Sequence, residues 1–157
     1  MRRDLAVSLP PSSPPPGTTL RSVQEADIEE RVAVHRAAFD PSQFTREAYQ
    51  RLRAAPGYRL DLDVAAVAPD GHLAAYALGW FDPISRIGLF EPVGTHPLLQ
   101  RQGYGKAVMV EGLRRLRDLG APVAFLHTGA AAEAAVRLYE SVGFRVVSTE
   151  NQYKKTL

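Results

Sequence analysis

The chain has 157 residues, 45% of them hydrophobic, no cysteine and a formal net charge of +2. That length supplies one sizeable core without room for two ordinary domains. Without cysteine there are no disulfides and no thiol catalysis, which agrees with a cytoplasmic protein. The small charge asks for no nucleic-acid partner, and no apolar stretch approaches the roughly 18 residues of a membrane span.

Five of the 12 prolines fall at Pro10, Pro11, Pro14, Pro15 and Pro16. Such a run supports neither a helix nor an inner strand, so residues 1–17 read as a flexible Pro-rich tail. Within it, Asp4 to Leu9 alternates well enough for a short edge strand. No secretory leader is read there, because no continuous apolar segment precedes the prolines. Residues 18–157 read as one α/β domain. Thr18 to Val23 is a strand. Ile28, Val32, His35 and Phe39 mark one face of a helix, and a second helix begins near Thr45 and stops before Pro56. Val64 to Val67 and Leu73 to Phe81 flank Pro69-Asp70-Gly71, a hairpin signal. Arg86 to His96 is the next strand. A helix over 106–119 turns Met109, Leu113 and Leu116 inward and ends at Gly120. Val123 to His127 is a short strand. Ala130 to Val142 is helical, with Ala135, Leu138 and Val142 inward and Gly143 as its stop. Arg145 to Tyr153 gives one or two closing strands.

Between strand and helix lies Gln100-Arg101-Gln102-Gly103-Tyr104-Gly105. A strand, a glycine-punctuated loop and a helix start form an anion site, with free N–H groups and the positive end of the helix dipole aimed at one spot. Gly103 and Gly105 let a phosphate approach the main chain. A P-loop is excluded because position 100 is Gln and position 107 is Ala; a dinucleotide fingerprint is excluded because position 108 is Val. Downstream stands Leu138-Tyr139-Glu140-Ser141-Val142-Gly143-Phe144. The two blocks together resemble the signature motifs of the GNAT acyl-CoA N-acyltransferase superfamily, and the resemblance covers roughly residues 18 to 155.

That resemblance implies the GNAT fold, a central mixed twisted sheet of about six to seven strands flanked by about four helices. It implies an acetyl-CoA-dependent N-acetyltransferase with no metal, moving the acyl group directly to a primary amine of a small molecule or peptide. By resemblance the pantetheine arm runs beside Val93-Gly94-Thr95, with Val93 and Thr95 as main-chain contacts. The pyrophosphate lies on the amides of Gln102, Gly103, Tyr104, Gly105 and Lys106; Gln100 and Arg101 complete the cofactor-binding loop, and Arg101 and Lys106 add charge. Tyr139 stands where relatives carry a phenol near the thioester sulfur; it can donate to a departing thiolate. Glu91 stands near where several relatives carry a glutamate that deprotonates the amine, and alternation puts Glu91, Val93 and Thr95 on one side of their strand. His96 and His127 are rival bases.

The resemblance implies an acceptor pocket formed by the first two helices, the loop between them and the hairpin ends, which points to Phe39, Asp40, Phe44, Trp80, Phe81 and Tyr153. Trp80 and Phe81 are adjacent, so only one of them can line it. The acceptor stays open between aminoglycoside, polyamine, amino acid and protein N-terminus. Relatives often dimerise through their closing strands, which leaves a homodimer open. One departure stands out: seven residues before the motif tyrosine, where relatives place an asparagine, this chain has Ala132. The alternative is therefore a degenerate domain that binds acyl-CoA without turnover. Arg114, Arg115 and Arg117 are read as the wet face of the long helix near its C-terminal end, not as a nucleic-acid surface.

Overall fold

The computed structural model describes residues 1–150. One six-stranded sheet carries the fold, with β1 (Arg2–Asp4), β2 (Thr19–Ser22), β3 (Asp63–Val67), β4 (Leu73–Asp82), β5 (Ile87–Thr95) and β6 (Val123–Leu126). The helices are α1 (Ile28–Ala38), α2 (Arg46–Arg53), α3 (Tyr104–Asp118) and α4 (Glu133–Ser141). Spatial order is β1-β6-β5-β4-β3-β2. Every pairing is antiparallel except β5 with β6. None of the described helices is long and apolar enough to cross a membrane.

Local chemistry sets the element ends. The Thr45 hydroxyl accepts from the Ala48 amide at 3.2 Å and starts α2. At the end of α3, Gly120 takes φ 87°. The Gly120 amide donates to the Arg117 carbonyl and the Ala121 amide to the Leu116 carbonyl, which satisfies the last turn's orphan acceptors. Two cores follow from the two faces of the sheet. Met109, Leu113 and Leu116 of α3 pack with Phe90, Leu126 and Phe144. On the other face, Val23, Ile28, Val32 and Tyr49 pack with Leu73 and Tyr76.

Two expectations from the sequence are corrected at the sheet's edge. Residues 2–4, assigned to a flexible tail, form β1 and pair with β6 from Arg2↔Phe125 to Asp4↔Val123. Leu5 is fully buried, and its amide donates to the Pro122 carbonyl at 2.9 Å. The strand thus sits earlier than the 4–9 alternation suggested, because burial of Leu5 outweighs the proline-rich composition that follows. The closing strands expected over 145–153 reduce, among the described residues, to one bridge between Arg145 and Arg2. The place beside β6 is already taken by β1. Tyr153 lies outside the described residues.

Candidate active site

β5 and β6 run side by side from Ile87↔Val123 to Phe90↔Leu126, and there the pairing stops. From Glu91 to Thr95, β5 keeps its partner β4 on one side only. Its other edge faces a cleft of about 1300 Å³ that also touches Phe39, the glycine loop, His127 and α4. A strand edge without a partner offers main-chain N–H and C=O groups to an extended ligand. Val93 and Thr95 both line this wall.

The pairing slips along the same stretch. Val93 sits opposite Ala77 and Phe90 opposite Gly79. Glu91 and Pro92 therefore share one partner, Leu78, in a β-bulge. Pro92 cannot donate a ladder bond, so the irregularity falls where the strand can bear it. The simple alternation that grouped Glu91 with Val93 and Thr95 does not hold across the bulge, yet all three line the cleft. The proline inside a strand pattern was the signal for it.

At the head of α3, Gly103 is the N-cap with φ 97°, and Arg101 before it also takes a positive φ of 62°. The first amide of this region accepted by the backbone is that of Ala107, which donates to the Gly103 carbonyl. Among the described residues, no backbone or side-chain acceptor pairs with the amides of residues 101–106. Such a run beside a helix N-terminus is an anion nest. Gly105 is closely confined: a Cβ there would lie 2.9 Å from the Thr95 hydroxyl and 3.3 Å from Leu138. Gln100, Arg101, Gly103, Gly105 and Lys106 line the cleft; the side chain of Tyr104 is buried in the core, and Gln102 lies outside the lining. The Gln102 amide group instead donates to the Leu98 carbonyl.

Tyr139 is 7% exposed, lines the cleft, and makes a T-shaped contact with Phe144 at 6.2 Å. Burial raises its pKa, so the phenol stays protonated at neutral pH. Its hydroxyl has no hydrogen-bond partner among the described residues and is free to donate to a ligand. Glu91 is exposed at the cleft, and its carbonyl accepts from the Trp80 indole at 2.8 Å. His127 also lines the cleft. His96 does not; it borders a separate groove with Glu30, His72 and Leu98.

Of the acceptor residues among the described ones, Phe39 alone reaches the cleft. Asp40 is exposed on the turn after α1, Phe44 packs in the second core, and Phe81 packs against the main core. Trp80 lies over Gly57. Neither member of the Trp80-Phe81 pair therefore lines the cleft: the Trp80 indole is held on the Glu91 carbonyl, and Phe81 packs against the main core. Sequence reasoning missed Arg137, Glu133 and Thr128, all of which line it. Arg137 and Glu133 are one turn apart and paired at 3.1 Å, a spacing that was visible in the sequence.

A sheet splayed between two parallel strands, with an anion nest at one end of the gap and a buried phenol beside it, defines an acyltransferase-type α/β fold. The Acetyltransferase (GNAT) family model matches residues 24–144, and the chain belongs to that family. Mycothiol acetyltransferase of Nocardiopsis dassonvillei is 38% identical over 98 residues, 56% of this chain and 29% of that protein. The protein of the same name from Streptomyces avermitilis is 32% identical over 163 residues, 98% of this chain and 52% of its own length. The chain thus spans about half the length, or less, of these relatives. A GNAT acetyltransferase from Brucella melitensis, solved in complex with acetyl-CoA, superposes with a TM-score of 0.64 at 24% identity, over 82% of this chain and 83% of that one. The ribosomal-protein-S18-alanine N-acetyltransferase of Escherichia coli gives a TM-score of 0.70 at 21% identity, over 83% and 79% of the two chains.

Proposed function

We propose that this protein is an acetyl-CoA-dependent N-acetyltransferase acting in the cytoplasm on a primary amine of a small molecule. The observation that carries this reading is the run of unaccepted amides at residues 101–106, opening into a cleft walled by the free edge of β5. The cofactor's pyrophosphate lies on that nest, with Arg101 and Lys106 adding positive charge. Its pantetheine arm follows Val93 and Thr95, which places the thioester near Tyr139. A main-chain N–H of β5 polarises the acyl carbonyl. Tyr139 gives its proton to the departing thiolate, at a cost increased by its raised pKa. Glu91 takes the amine's proton, directly or through water, with His127 as the other cleft base. The relatives' names suggest a mycothiol-type acceptor, and a peptide amine is the other class.

The test is thermal unfolding with acetyl-CoA, CoA and ATP, followed by amine-dependent thiol release. Ligand at about 100 times Kd adds about 2.7 kcal/mol, a rise of about 5 to 11 °C for a domain near this size. A shift with both CoA compounds and none with ATP supports the reading; no shift at millimolar acetyl-CoA overturns it.

A second reading, binding without turnover, is favoured by one observation. Ala132 is the N-cap of α4, lines the cleft, and provides no side-chain hydrogen bond there. Acetyl-CoA binding with no thiol release from any amine would select it.

A further inference from the structure

The proline-rich segment after β1 crosses the molecule. β1 and β6 stand on one side of the cleft, whereas β5, α3 and the strands out to β2 stand on the other. The chain from Asp4 to Thr19 joins the two outermost strands, so it must pass from one cleft wall to the other. It is fastened at both ends. The buried Arg3 guanidinium donates to the Val7 and Ser8 carbonyls at 3.2 and 2.8 Å, and Leu9 packs against the main core. At the far end, the Thr18 hydroxyl and amide both donate to the Pro15 carbonyl. Gly17, at φ 81°, lies against the Pro69 ring.

Between those anchors the segment touches the anion nest. A Cβ on Gly103 would lie 3.0 Å from the Ser13 carbonyl oxygen and 3.6 Å from the Pro14 Cα. Gly103 is the N-cap of α3 and takes a left-handed φ. Position 103 is thus restricted to glycine by its backbone and again by the strand of chain lying on it. The Ser13 oxygen accepts no hydrogen bond from the loop, so the contact leaves the nest's amides available. Prolines 10, 11, 14, 15 and 16 restrict the free chain, so little conformational entropy is lost when it is laid down.

We propose that residues 6–17 are a strap that positions the phosphate loop and ties the two cleft walls together. Ser13 and Pro14 are its positioning residues, acting through Gly103. The strap raises cofactor affinity by holding the nest in its binding geometry before the ligand arrives. By reciprocity, bound cofactor must favour the seated strap. This inference rests on the cleft being the acetyl-CoA site.

The experiment is to lengthen the strap with a Gly-Ser-Gly-Ser insertion between Ser12 and Ser13. A control protein carries the same insertion at Ile84, which is 93% exposed at the tip of the β4–β5 hairpin. The lengthened strap is expected to weaken acetyl-CoA binding about tenfold, while kcat at saturation stays within about twofold; the control keeps wild-type affinity. Wild-type affinity in the lengthened protein overturns the strap, whereas failure of the wild type to bind acetyl-CoA overturns the cofactor reading instead. If the lengthened chain does not fold, a second measurement decides. The chain has no cysteine, so Leu9→Cys installs a single reporter thiol on a strap residue that packs against the main core and lies outside the cleft lining. Saturating acetyl-CoA is expected to slow its labelling by a disulfide reagent several-fold. Equal labelling rates with and without acetyl-CoA overturn the proposal.

Discussion

The two faces of the sheet are held by different physics. Under α3 the contacts are apolar and very close: a Cβ on Gly112 would lie 2.6 Å from the Phe90 ring, and one on Gly88 would lie 2.7 Å from Leu116. Under α1 and α2 the core includes a buried cation and a buried carboxylate. Arg31 and Asp63 are 1% and 0% exposed, with Nε and Oδ1 3.7 Å apart. The Arg31 guanidinium carbon lies 3.1 Å from the centroid of the Tyr76 ring. Tyr49 and Tyr58 donate to the second Asp63 oxygen at 2.5 and 3.1 Å, and the Tyr76 hydroxyl meets His35 Nδ1 at 2.7 Å. The face carrying the phosphate-loop helix therefore depends on area and shape. The face carrying the helix that ends at Phe39 depends on directed polar contacts, which fix orientation at a desolvation cost.

The largest expected effect comes from breaking the polar face. Asp63→Ala leaves Arg31 charged, buried and without a counterion, which is expected to destabilise by about 3 to 5 kcal/mol. Urea unfolding measures it. Replacing both partners, Arg31→Met with Asp63→Asn, is expected to recover most of that loss, because no charge is left stranded and the Asn oxygen still accepts from Tyr49. If the double variant is as unstable as the single, the two charges do not act as a pair. On the apolar face, Leu113→Ala is expected to cost about 2 to 5 kcal/mol through lost transfer and a cavity. Leu113→Met should cost less than about 1.5 kcal/mol. A large penalty for that near-isosteric change would show that the apolar face is as demanding of shape as the polar face is of charge.

This asymmetry also explains what the sequence revealed. Period and turn chemistry are local, so β3 and β4 about Asp70-Gly71, the glycine loop and the stop of α4 at Gly143 were all legible. Arg31 was not, since it stands beside the stripe of Ile28 and Val32 and reads as a solvated arginine. Its burial depends on Asp63, 32 positions later, and on the Tyr76 ring. β1 and the strap were hidden for a similar reason. Proline composition describes what a segment does alone, whereas Leu5, Arg3 and Gly103 describe what the fold does to it. Phe39 and Glu91 line the cleft, but Trp80, Phe81, Asp40 and Phe44, expected there from the family's use of the first two helices and the hairpin ends, do not. Trp80 lies over Gly57, Phe81 and Phe44 pack against the two cores, and Asp40 is exposed on the turn after α1.

A smaller effect, on rate and not on folding, sharpens the comparison at the cleft itself. Tyr139 comes from the apolar face and Glu91 from the strand between the two. Tyr139→Phe removes one oxygen whose only proposed partner is the cofactor, so stability and acetyl-CoA affinity should change little. kcat should fall about ten- to a hundredfold, a barrier increase of about 1.4 to 2.7 kcal/mol. Steady-state kinetics beside a binding isotherm separates the two quantities. An unaltered kcat removes Tyr139 from the chemistry and returns it to the core.

The smallest effect concerns protons on the polar face. Burial, with Arg31 nearby, lowers the His35 pKa from 6.5 to about 4. The folded state therefore keeps this imidazole neutral where the unfolded chain would protonate it. Between about pH 6.5 and 4 the unfolded state binds more protons, so stability falls as pH falls through that window. His35 is only half-buried, and water screens part of the loss. Two other groups must be separated from it. His72 pairs with Glu30, which raises its pKa, so its contribution is present at low pH and lost as pH rises through the folded value. The Asp27 pKa is lowered by Arg21, so its contribution is lost only further into acid, below the ordinary carboxylate range. The urea midpoint of the wild type at pH 7 and pH 5, set against that of His35→Gln, isolates the imidazole because His72 and Asp27 are common to both proteins. The wild type should lose more stability than the variant over that interval. An equal loss in both would mean that His35 is solvated enough to titrate normally, and that the polar face ends at Tyr76.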